Sequence, residues 1–396
     1  MEISDRRLIG LLGAAIFFEG YGRSLVTVAL AYVGKDLDTS SDALSYALAA
    51  IAMGSLGVLL LGPIADRFGR RRLLLVSLVL LALFGAGTAS AATLAALVAW
   101  QLAARIFQEG ALFTAAVLAA EETAPASRAA AQGFLGTANA LGAGFAALVL
   151  AAITVVPGGW RGLCLVSLTP LVLAPLLRRR LPESRRWLAR SGPTVSLPPP
   201  AYRGRVLAAL VVVALAMSYD VAAFAFVTYV PVTLYDWSPA QVSAMFIGAG
   251  ALGLPGWSLG GMLADRFGRR PIGVLFLVGL TVAELLFFLG GRWALWPGFA
   301  AMVFFQGGKM TIIRSWAAEL FPTSFRGAAA GWLTAAGALG GMGGLGLAGA
   351  LTAPLGGIHA ALAVVSLAGV LAAAAVAAWL PETRGLDLEA SAPEAA

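Results

Sequence analysis

Long apolar runs alternate with short polar segments along the whole chain. An apolar run of about 20 residues crosses the ~30 Å hydrocarbon core of a bilayer as an α-helix. The pattern therefore predicts an all-α integral membrane protein with twelve transmembrane helices. The predicted spans are 8–33, 42–64, 71–93, 95–120, 128–156, 160–178, 205–234, 239–263, 271–290, 293–318, 326–353 and 357–380.

The composition agrees with this pattern and excludes an ordinary soluble domain. Hydrophobic residues make up 60% of the chain, charged residues 12%, and the mean hydropathy is +0.87. The one long polar stretch is rich in arginine and proline, which is typical of a linker between domains. We therefore predict an N-terminal six-helix bundle over 1–178, a linker over 179–204, and a C-terminal six-helix bundle with a short tail over 205–396.

The net charge of +7 reflects membrane topology. Twenty of the 27 basic residues lie in the termini and in the loops that share one side of the membrane. Lys35, Arg161 and Arg292 lie on the other side. Basic loops stay in the cytoplasm, so both termini are predicted to be cytoplasmic and nucleic acid is not an expected partner.

A charged loop motif occurs twice in the chain. Asp66 in the first copy corresponds to Asp265 in the second, 199 residues later. The first copy contains Gly62, Asp66, Arg67, Gly69, Arg70 and Arg71, and the second contains Asp265, Arg266, Gly268, Arg269 and Arg270. Leu-Pro-Glu at 181–183 returns at 380–382, and Glu122 with Arg128 returns as Glu319 with Arg326. Three motif pairs in the same order indicate a duplicated membrane unit.

These motifs resemble those of the major facilitator superfamily, especially its sugar porters and metabolite–proton symporters. The resemblance implies two pseudo-symmetric six-helix bundles that work by alternating access around a midplane site. It also implies that the two loop motifs form a cytoplasmic gate, in which the loop arginines engage carboxylates such as Glu122 and Glu319. Arg128 and Arg326 belong to the same gating segments.

Predicted helices 1, 4, 7 and 10 line the central cavity in this family. Apart from Arg314 in helix 10, which is assigned to packing or the cytoplasmic gate, six ionisable residues fall well inside these helices. They are Glu19, Arg23, Arg105, Glu109, Asp220 and Lys309. An ionised group at the bilayer centre costs on the order of 3 kcal/mol, so such residues are functional by default. Glu19 with Arg23, and Arg105 with Glu109, are each four residues apart and can neutralise one another. A purely structural role as ion pairs is the alternative.

The residue types suggest separate roles in binding and in proton coupling. A carboxylate that loses its arginine to an anionic substrate picks up a proton. We therefore assign proton coupling to Glu19, Glu109 and Asp220, with Glu109 beside Arg105 the best fit. Substrate binding is assigned to Tyr21, Arg23, Arg105, Gln306 and Lys309. Residues 105–110 resemble the family's helix-4 pattern R-x-x-Q-G, except that Glu109 stands where a glycine is usual.

We therefore predict a secondary active transporter that moves a small organic anion together with protons. A neutral sugar or polyol symporter or uniporter is one alternative, although helix 7 lacks the glutamine-rich stretch usual in sugar porters. A drug–proton antiporter is another, although helix 5 lacks the Gly-Pro element of such proteins. A transport-inactive sensor or scaffold is the alternative from a different class.

Enzymatic chemistry is not expected. Residues 256–260 match G-x-S-x-G but lie inside a predicted membrane helix rather than on a strand–turn–helix. Cys164 and His359 are each the only residue of their kind, so neither a disulfide nor a metal cluster is predicted. We expect no cofactor, a monomer in the bacterial cytoplasmic membrane, and as partners only the substrate, protons and the bilayer.

Overall fold

The computed structural model describes residues 3–123, 128–183, 200–321 and 323–384, and these are almost entirely helical, with no β-strand. The α-helices are α1 Ile3–Val28, α2 Leu30–Asp36, α3 Ser41–Ala52, α4 Gly57–Phe68, α5 Arg70–Gly87, α6 Leu94–Glu122, α7 Arg128–Val149, α8 Trp160–Leu165, α9 Thr169–Arg180, α10 Arg203–Phe226, α11 Tyr229–Tyr235, α12 Pro239–Gly253, α13 Pro255–Phe267, α14 Arg269–Leu289, α15 Leu295–Glu319, α16 Thr323–Thr352, α17 Ile358–Ser366 and α18 Ala368–Trp379.

Eleven helical stretches in the described residues are long and apolar enough to cross a membrane. The remaining predicted span, 293–318, corresponds to α15, which is 25 residues long. Gln306 and Lys309 interrupt its apolar run and lower its hydropathy. The all-helical membrane fold predicted from the sequence is confirmed.

Several spans consist of two helices because the chain bends inside the membrane. Between α12 and α13 the bend precedes Pro255, which has no backbone N–H to donate to the preceding turn. Between α3 and α4 a 3₁₀ turn runs over Met53–Leu56. A Cβ on Gly54 in that turn would lie 2.7 Å from Cβ of Arg105, so only glycine permits this approach to α6. The turn thereby brings Ser55 towards the polar face of α6.

The chain forms two compact units, largely from its first and second halves. Ser40–Ala49 belongs to the second unit and Trp237–Ser243 to the first, so each unit includes a short segment from the other half of the sequence. Ser45 Oγ donates to the carbonyl of Leu345 at 2.7 Å within the second unit. Ser243 Oγ donates to the carbonyl of Ala147 at 2.6 Å within the first.

Close helix pairs organise each unit. In the first, α1 packs along α7, and a Cβ on Gly142 would overlap the carbonyl oxygen of Phe17. In the second, α10 packs along α16, and a Cβ on Gly344 would overlap the carbonyl oxygen of Ser218. Small residues allow membrane helices to pack backbone against backbone, which fixes the register of the polar side chains that α1 and α10 carry.

Candidate functional site

Charged and polar side chains from four segments of the first unit meet in what we call the N-terminal network, made of Glu19, Arg23, Ser55, Arg105, Glu109 and Asn139. Arg23 Nε donates to Glu19 Oε1 at 2.7 Å, and Arg23 Nη1 donates to Glu109 Oε1 at 2.8 Å. Ser55 Oγ also donates to Glu109 Oε1, at 2.9 Å. Asn139 Nδ2 donates to Glu19 Oε2. Arg23 therefore bridges two carboxylates that lie on different helices.

The helical register of α1 and α6 explains this arrangement. Glu19 and Arg23 are one turn apart on α1, so their side chains lie on the same face. Glu19 is fully buried and Glu109 is 8% exposed, whereas the Arg23 side chain retains 26% exposure. Burial of two carboxylates in an apolar bundle is tolerated because hydrogen bonds and an opposite charge satisfy them.

Arg105 differs from Arg23 in its hydrogen bonding. It lies one turn before Glu109 on α6, but the predicted Arg105–Glu109 pair is not formed because Glu109 binds Arg23. Arg105 Nε is buried and has no hydrogen-bond partner among the described residues. Leaving a buried guanidinium N–H without an acceptor costs free energy, and an anion bound at Arg105 would supply that acceptor.

Tyr21 lies apart from the network. Its ring is fully buried, and its hydroxyl donates to the carbonyl of Leu163 at 2.8 Å. The ring packs against Phe145, with 5.7 Å between ring centroids. In the structure Tyr21 therefore ties α1 to α8, and its hydroxyl is occupied.

The second unit contains a separate group, the C-terminal network, made of Tyr219, Asp220, Gln306 and Lys309. Lys309 Nζ lies 2.6 Å from Asp220 Oδ2 and 3.2 Å from the carbonyl oxygen of Ala216. Gln306 Nε2 donates to Asp220 Oδ1 at 3.2 Å. Lys309 Nζ also lies 5.3 Å from the Tyr219 ring centroid, a cation–π distance. Asp220 is thus paired across two helices, although it has no cation one turn away in sequence.

Glu284 on α14 lies outside the predicted site, yet it is completely buried. Ser366 Oγ donates to its Oε2 at 2.6 Å, while its Oε1 has no hydrogen-bond partner among the described residues. Its contact with α17 makes it an interface residue, and the signal that could have singled it out is one carboxylate in the 21 residues of α14.

The first loop motif joins α4 to α5 through Gly69, whose φ of 102° strongly favours glycine. Arg70 Nε lies 2.8 Å from Glu121 Oε2, on the residue before the predicted partner Glu122. The backbone N–H of Arg71 donates to Glu183 Oε1 at 3.0 Å. Arg67 stacks 5.3 Å from the Phe68 ring centroid, and Gly62 has open space around it.

The second copy has the same plan, with Gly268 at φ 109°. Arg269 Nη1 lies 2.6 Å from Asp265 Oδ1, and Arg269 Nη2 lies 3.1 Å from Glu319 Oε1. Arg266 stacks 5.2 Å from the Phe267 ring centroid. Thr383 Oγ1 donates to Glu319 Oε2 at 2.5 Å, so the segment after α18 also reaches this loop.

Glu382 binds the start of α14. Burial raises the pKa of its carboxyl, but hydrogen bonds from the backbone N–H groups of Arg269, Arg270, Arg384 and Thr383 outweigh burial and leave the pKa below its usual value. The bonds from Arg269 and Arg270 measure 2.8 and 3.0 Å. A carboxylate at a helix N-terminus satisfies unpaired N–H groups and the helix dipole. The side chains of Asp66, Arg128 and Arg326 lie outside the described parts of the structure.

These features together define a duplicated helical membrane transporter. Paired charges lie within membrane helices, and a repeated arginine–carboxylate loop follows the second predicted span of each half. The repeated loops have the same structure, whereas the charged networks do not: Tyr21 and Asp220 occupy equivalent positions in the repeat. The chain thus has a symmetric framework with different chemistry in its two halves.

The chain belongs to the Major Facilitator Superfamily, whose model matches residues 12–259 and 209–395. It is 28% identical to the 3-(3-hydroxy-phenyl)propionate transporter of Escherichia coli, over 92% of this chain and 91% of that protein. It is 24% identical to the candidate niacin/nicotinamide transporter NiaP of Bacillus subtilis, over 98% of both chains. It is 25% identical to the gallate transporter of Pseudomonas putida, over 92% of this chain and 89% of that protein.

Among solved structures, the xylose transporter XylE from E. coli in an inward open conformation superposes with a TM-score of 0.78. The match covers 98% of this chain and 99% of that one at 19% identity, so it establishes the fold. The family expected from the motifs is confirmed. The protein is therefore a multi-pass membrane transporter and not an enzyme.

Proposed function

We propose that the protein carries a small aromatic carboxylate anion together with a proton across the cytoplasmic membrane, by alternating access and with both termini in the cytoplasm. Several relatives have names that specify aromatic acids. Besides the transporters for hydroxyphenylpropionate and gallate, a 4-hydroxybenzoate transporter of Pseudomonas aeruginosa is 29% identical over 46% of this chain. An aromatic carboxylate also suits the donors available in the N-terminal network.

The observation that carries the proposal is the unpaired Nε of Arg105. Arg23 also has a buried nitrogen without an acceptor, Nη2, but its Nε and Nη1 already bind the two carboxylates. Arg105 has the buried donor Nε without an acceptor and binds neither carboxylate. A guanidinium binds a carboxylate through two parallel N–H···O bonds, a geometry that a neutral hydroxyl cannot reproduce. Arg105 is therefore assigned as the anion-binding residue, and Arg23 as the residue that holds the two coupling carboxylates.

Charge balance supplies the reason for proton coupling. With all groups ionised, Arg23 and Arg105 offset Glu19 and Glu109. A bound substrate anion adds one negative charge to a site of low polarity, where an unbalanced charge costs on the order of 3 kcal/mol. Protonation of one carboxylate removes this excess. Protonation of either carboxylate leaves Arg23 with a partner. We assign the proton to Glu109 because its side chain is 11% exposed, whereas that of Glu19 is fully buried.

The C-terminal network gives the other half a different role. Lys309 and Asp220 form a closed pair, and Gln306 is the partly exposed donor beside them. We assign Gln306 to hydrogen bonding with a ring substituent of the substrate. Lys309 holds Asp220 in an ion pair until the pair separates during transport. Tyr219 stacks on Lys309 and shields the pair on one side.

Calorimetric titration of purified protein tests binding and proton uptake together. 4-Hydroxybenzoate is titrated in two buffers of different ionisation enthalpy at the same pH, since the difference in heat gives the number of protons taken up. We expect binding with uptake of about one proton per anion, and no binding of 4-hydroxybenzyl alcohol, which lacks the carboxylate. Arg105→Ala is expected to weaken binding about tenfold or more, because hydrogen bonds to charged groups contribute about 1.5–3 kcal/mol.

Arg314→Ala is the matched control, because Arg314 lies on α15 of the other unit and stacks 5.6 Å from the Trp257 ring centroid. Its affinity for the acid should equal that of the wild type. Xylose is included as a neutral ligand, since a D-xylose transporter of Levilactobacillus brevis is 29% identical over 46% of this chain. Binding of xylose without binding of any acid would support the sugar porter alternative and would exclude the anion proposal.

A further inference from the structure

The first unit has a groove of about 590 Å³ between α5 and α9, apart from the N-terminal network. Its walls are apolar along most of its length, with Leu75 and Val79 from α5 and Leu171, Ala174 and Pro175 from α9. Leu75 and Val79 are one helical turn apart, so the apolar wall follows the helix axis. An apolar groove in a membrane-spanning region fits a hydrocarbon chain.

One end of the same groove is strongly basic. Arg71 from the first turn of α5, and Arg178 and Arg179 from the last turn of α9, complete its lining. These arginines lie where two membrane-spanning helices begin and end, and therefore at the boundary between bilayer and water. The groove is thus apolar along the helices and cationic at one end, as a receptor for an anionic lipid would be.

The arginines of this basic end have unused donors. Arg71 Nη2 donates to the carbonyl of Arg178, whereas Arg71 Nε is buried without a hydrogen-bond partner in the described residues. Arg178 and Arg179 are exposed, and neither forms an ion pair with another described residue. Glu183 is the nearby carboxylate, and its Oε1 accepts from the backbone N–H of Arg71. The described residues that line the groove include three arginines and no carboxylate, so the lining of this end is positively charged.

The internal repeat indicates that the fold does not require these arginines. At the offset of 199 residues, Arg178 and Arg179 correspond to Ala377 and Ala378 at the end of α18. The following Leu-Pro-Glu is nevertheless retained in both halves, and α18 ends as a helix without arginines. The arginine pair therefore contributes a property that only the first unit has.

We propose that this groove binds an anionic phospholipid, with an acyl chain along α5 and α9 and the headgroup phosphate at Arg71, Arg178 and Arg179. Arginine is suited to this task because its planar fork binds phosphate oxygens in pairs. The apolar walls select a lipid over a free phosphate, since a small hydrated anion gains nothing from them. This binding site is independent of the transported substrate.

Native mass spectrometry of the purified protein with phosphatidylglycerol tests the proposal, with phosphatidylcholine as the neutral lipid and inorganic phosphate as the soluble anion. The variant Arg178→Ala with Arg179→Ala installs the residues that the repeat carries at the equivalent positions. Each arginine near a membrane surface strengthens the binding of an anionic lipid about fivefold. Because this variant lacks two arginines, we expect it to bind phosphatidylglycerol roughly thirtyfold more weakly.

Arg72→Ala with Arg180→Ala is the charge-matched control, because both residues are exposed neighbours that do not line the groove. It should bind phosphatidylglycerol as the wild type does. The reverse variant, Ala377→Arg with Ala378→Arg, should gain a second bound phosphatidylglycerol, and it tests the proposal even where the loss variant fails to fold. Equal loss in both arginine variants, equal binding of phosphatidylcholine, or phosphate binding without lipid binding would each overturn the proposal.

Discussion

Glu109 lies where three parts of the first unit meet: its own helix α6, α1 through Arg23, and the 3₁₀ turn through Ser55. Two donors share its Oε1, so both of these hydrogen bonds end at one oxygen of the carboxylate. A group that exchanges a proton during transport must be able to exist with and without that charge. Ser55 and Arg23 provide partners for both forms, because a hydroxyl can accept as well as donate a hydrogen bond.

Glu109→Gln keeps the size of the side chain but removes its charge and its exchangeable proton. We expect uphill uptake driven by a pH gradient to fall at least about tenfold, while exchange of substrate across the membrane continues. Radiolabelled substrate uptake in proteoliposomes, with and without a gradient, measures both activities. Uphill uptake at the wild-type level would remove Glu109 from proton coupling.

Asp38→Asn is the control for the loss of one carboxylate. Asp38 is exposed on the loop after α2 and has φ of 46°, a conformation that asparagine also tolerates. Its uptake and exchange should both equal those of the wild type. A matching loss in this variant would mean that uptake responds to net charge and not to Glu109.

At this scale the sequence predicts which charged residues lie inside helices better than it predicts how they pair. Charges inside apolar helices are visible without a structure, and Glu19, Arg23 and Glu109 do meet in one network. The spacing of four residues favoured Arg105 as the partner of Glu109, whereas the structure pairs Glu109 with Arg23. Such a pair depends on how α1 packs against α6, which a pattern within one helix does not contain. Ser55 was missed for the same reason.

At the scale of elements, glycines at helix interfaces allow the backbones of two helices to come into direct contact. Gly344 on α16 faces the carbonyl oxygen of Ser218 on α10, whereas Gly343 beside it has open space. The two positions therefore share a helix and a residue type but differ in their surroundings. Sequence alone shows that α16 is rich in glycine; only the helix contacts show which glycines are at the interface.

Gly344→Ala is expected to destabilise the protein by about 1–3 kcal/mol, because the added methyl group pushes two backbones apart. Gly343→Ala should be neutral or slightly stabilising, since alanine favours a helix over glycine. The melting temperatures of the two variants are measured by thermal unfolding in detergent. Unfolding is followed by circular dichroism or by the fluorescence of a dye that does not react with thiols. Equal melting temperatures for both variants would contradict the close packing of α10 and α16.

The N-terminus of α14 gives a prediction about pH. Because the pKa of Glu382 is below its usual value in the folded protein, its charge stabilises the fold at pH values above the ordinary glutamate pKa. That contribution disappears as the pH falls through the lowered pKa. Glu382→Gln should therefore lower the melting temperature at pH 7. The expected loss in the free energy of unfolding is about 0.3–1 kcal/mol, the contribution of one charge at a helix terminus.

The wild type and Glu382→Gln should become similar in stability in strongly acidic buffer, because both then carry a neutral side chain at this position. Melting curves recorded from pH 7 downwards test the sign of the effect. A difference that stays constant or grows towards low pH would show that Glu382 acts through shape or packing rather than through its charge.

At the scale of the whole molecule, the sequence predicts the structure most completely. Twelve apolar runs, a motif repeated at an offset of 199 residues and a central linker were sufficient to predict the family and the helical membrane fold. The exchange of Ser40–Ala49 and Trp237–Ser243 between the units was not predicted. It depends on side chains such as Ser45 reaching a backbone carbonyl far away in sequence, and no local pattern encodes that contact.

The duplicated framework is compatible with the proposed combination of anion binding and proton coupling. Both halves keep the loop motif that joins their second and third spans, while the charged networks have diverged. The first half carries two cations and two carboxylates in one network, and the second carries one closed pair. We therefore expect substrate affinity to depend mostly on the N-terminal network.

Proton movement driven by substrate is the measurement that tests the central claim most directly. Purified protein is placed in liposomes that contain a pH-sensitive dye, and 4-hydroxybenzoate is added outside at a pH where nearly all of it is the anion. Protein-free liposomes and liposomes with the Glu109→Gln variant measure passive entry of the neutral acid. We predict acidification of the interior that exceeds both controls and follows uptake of labelled acid. Uptake of the acid without additional acidification, or alkalinisation of the interior, would contradict anion–proton symport.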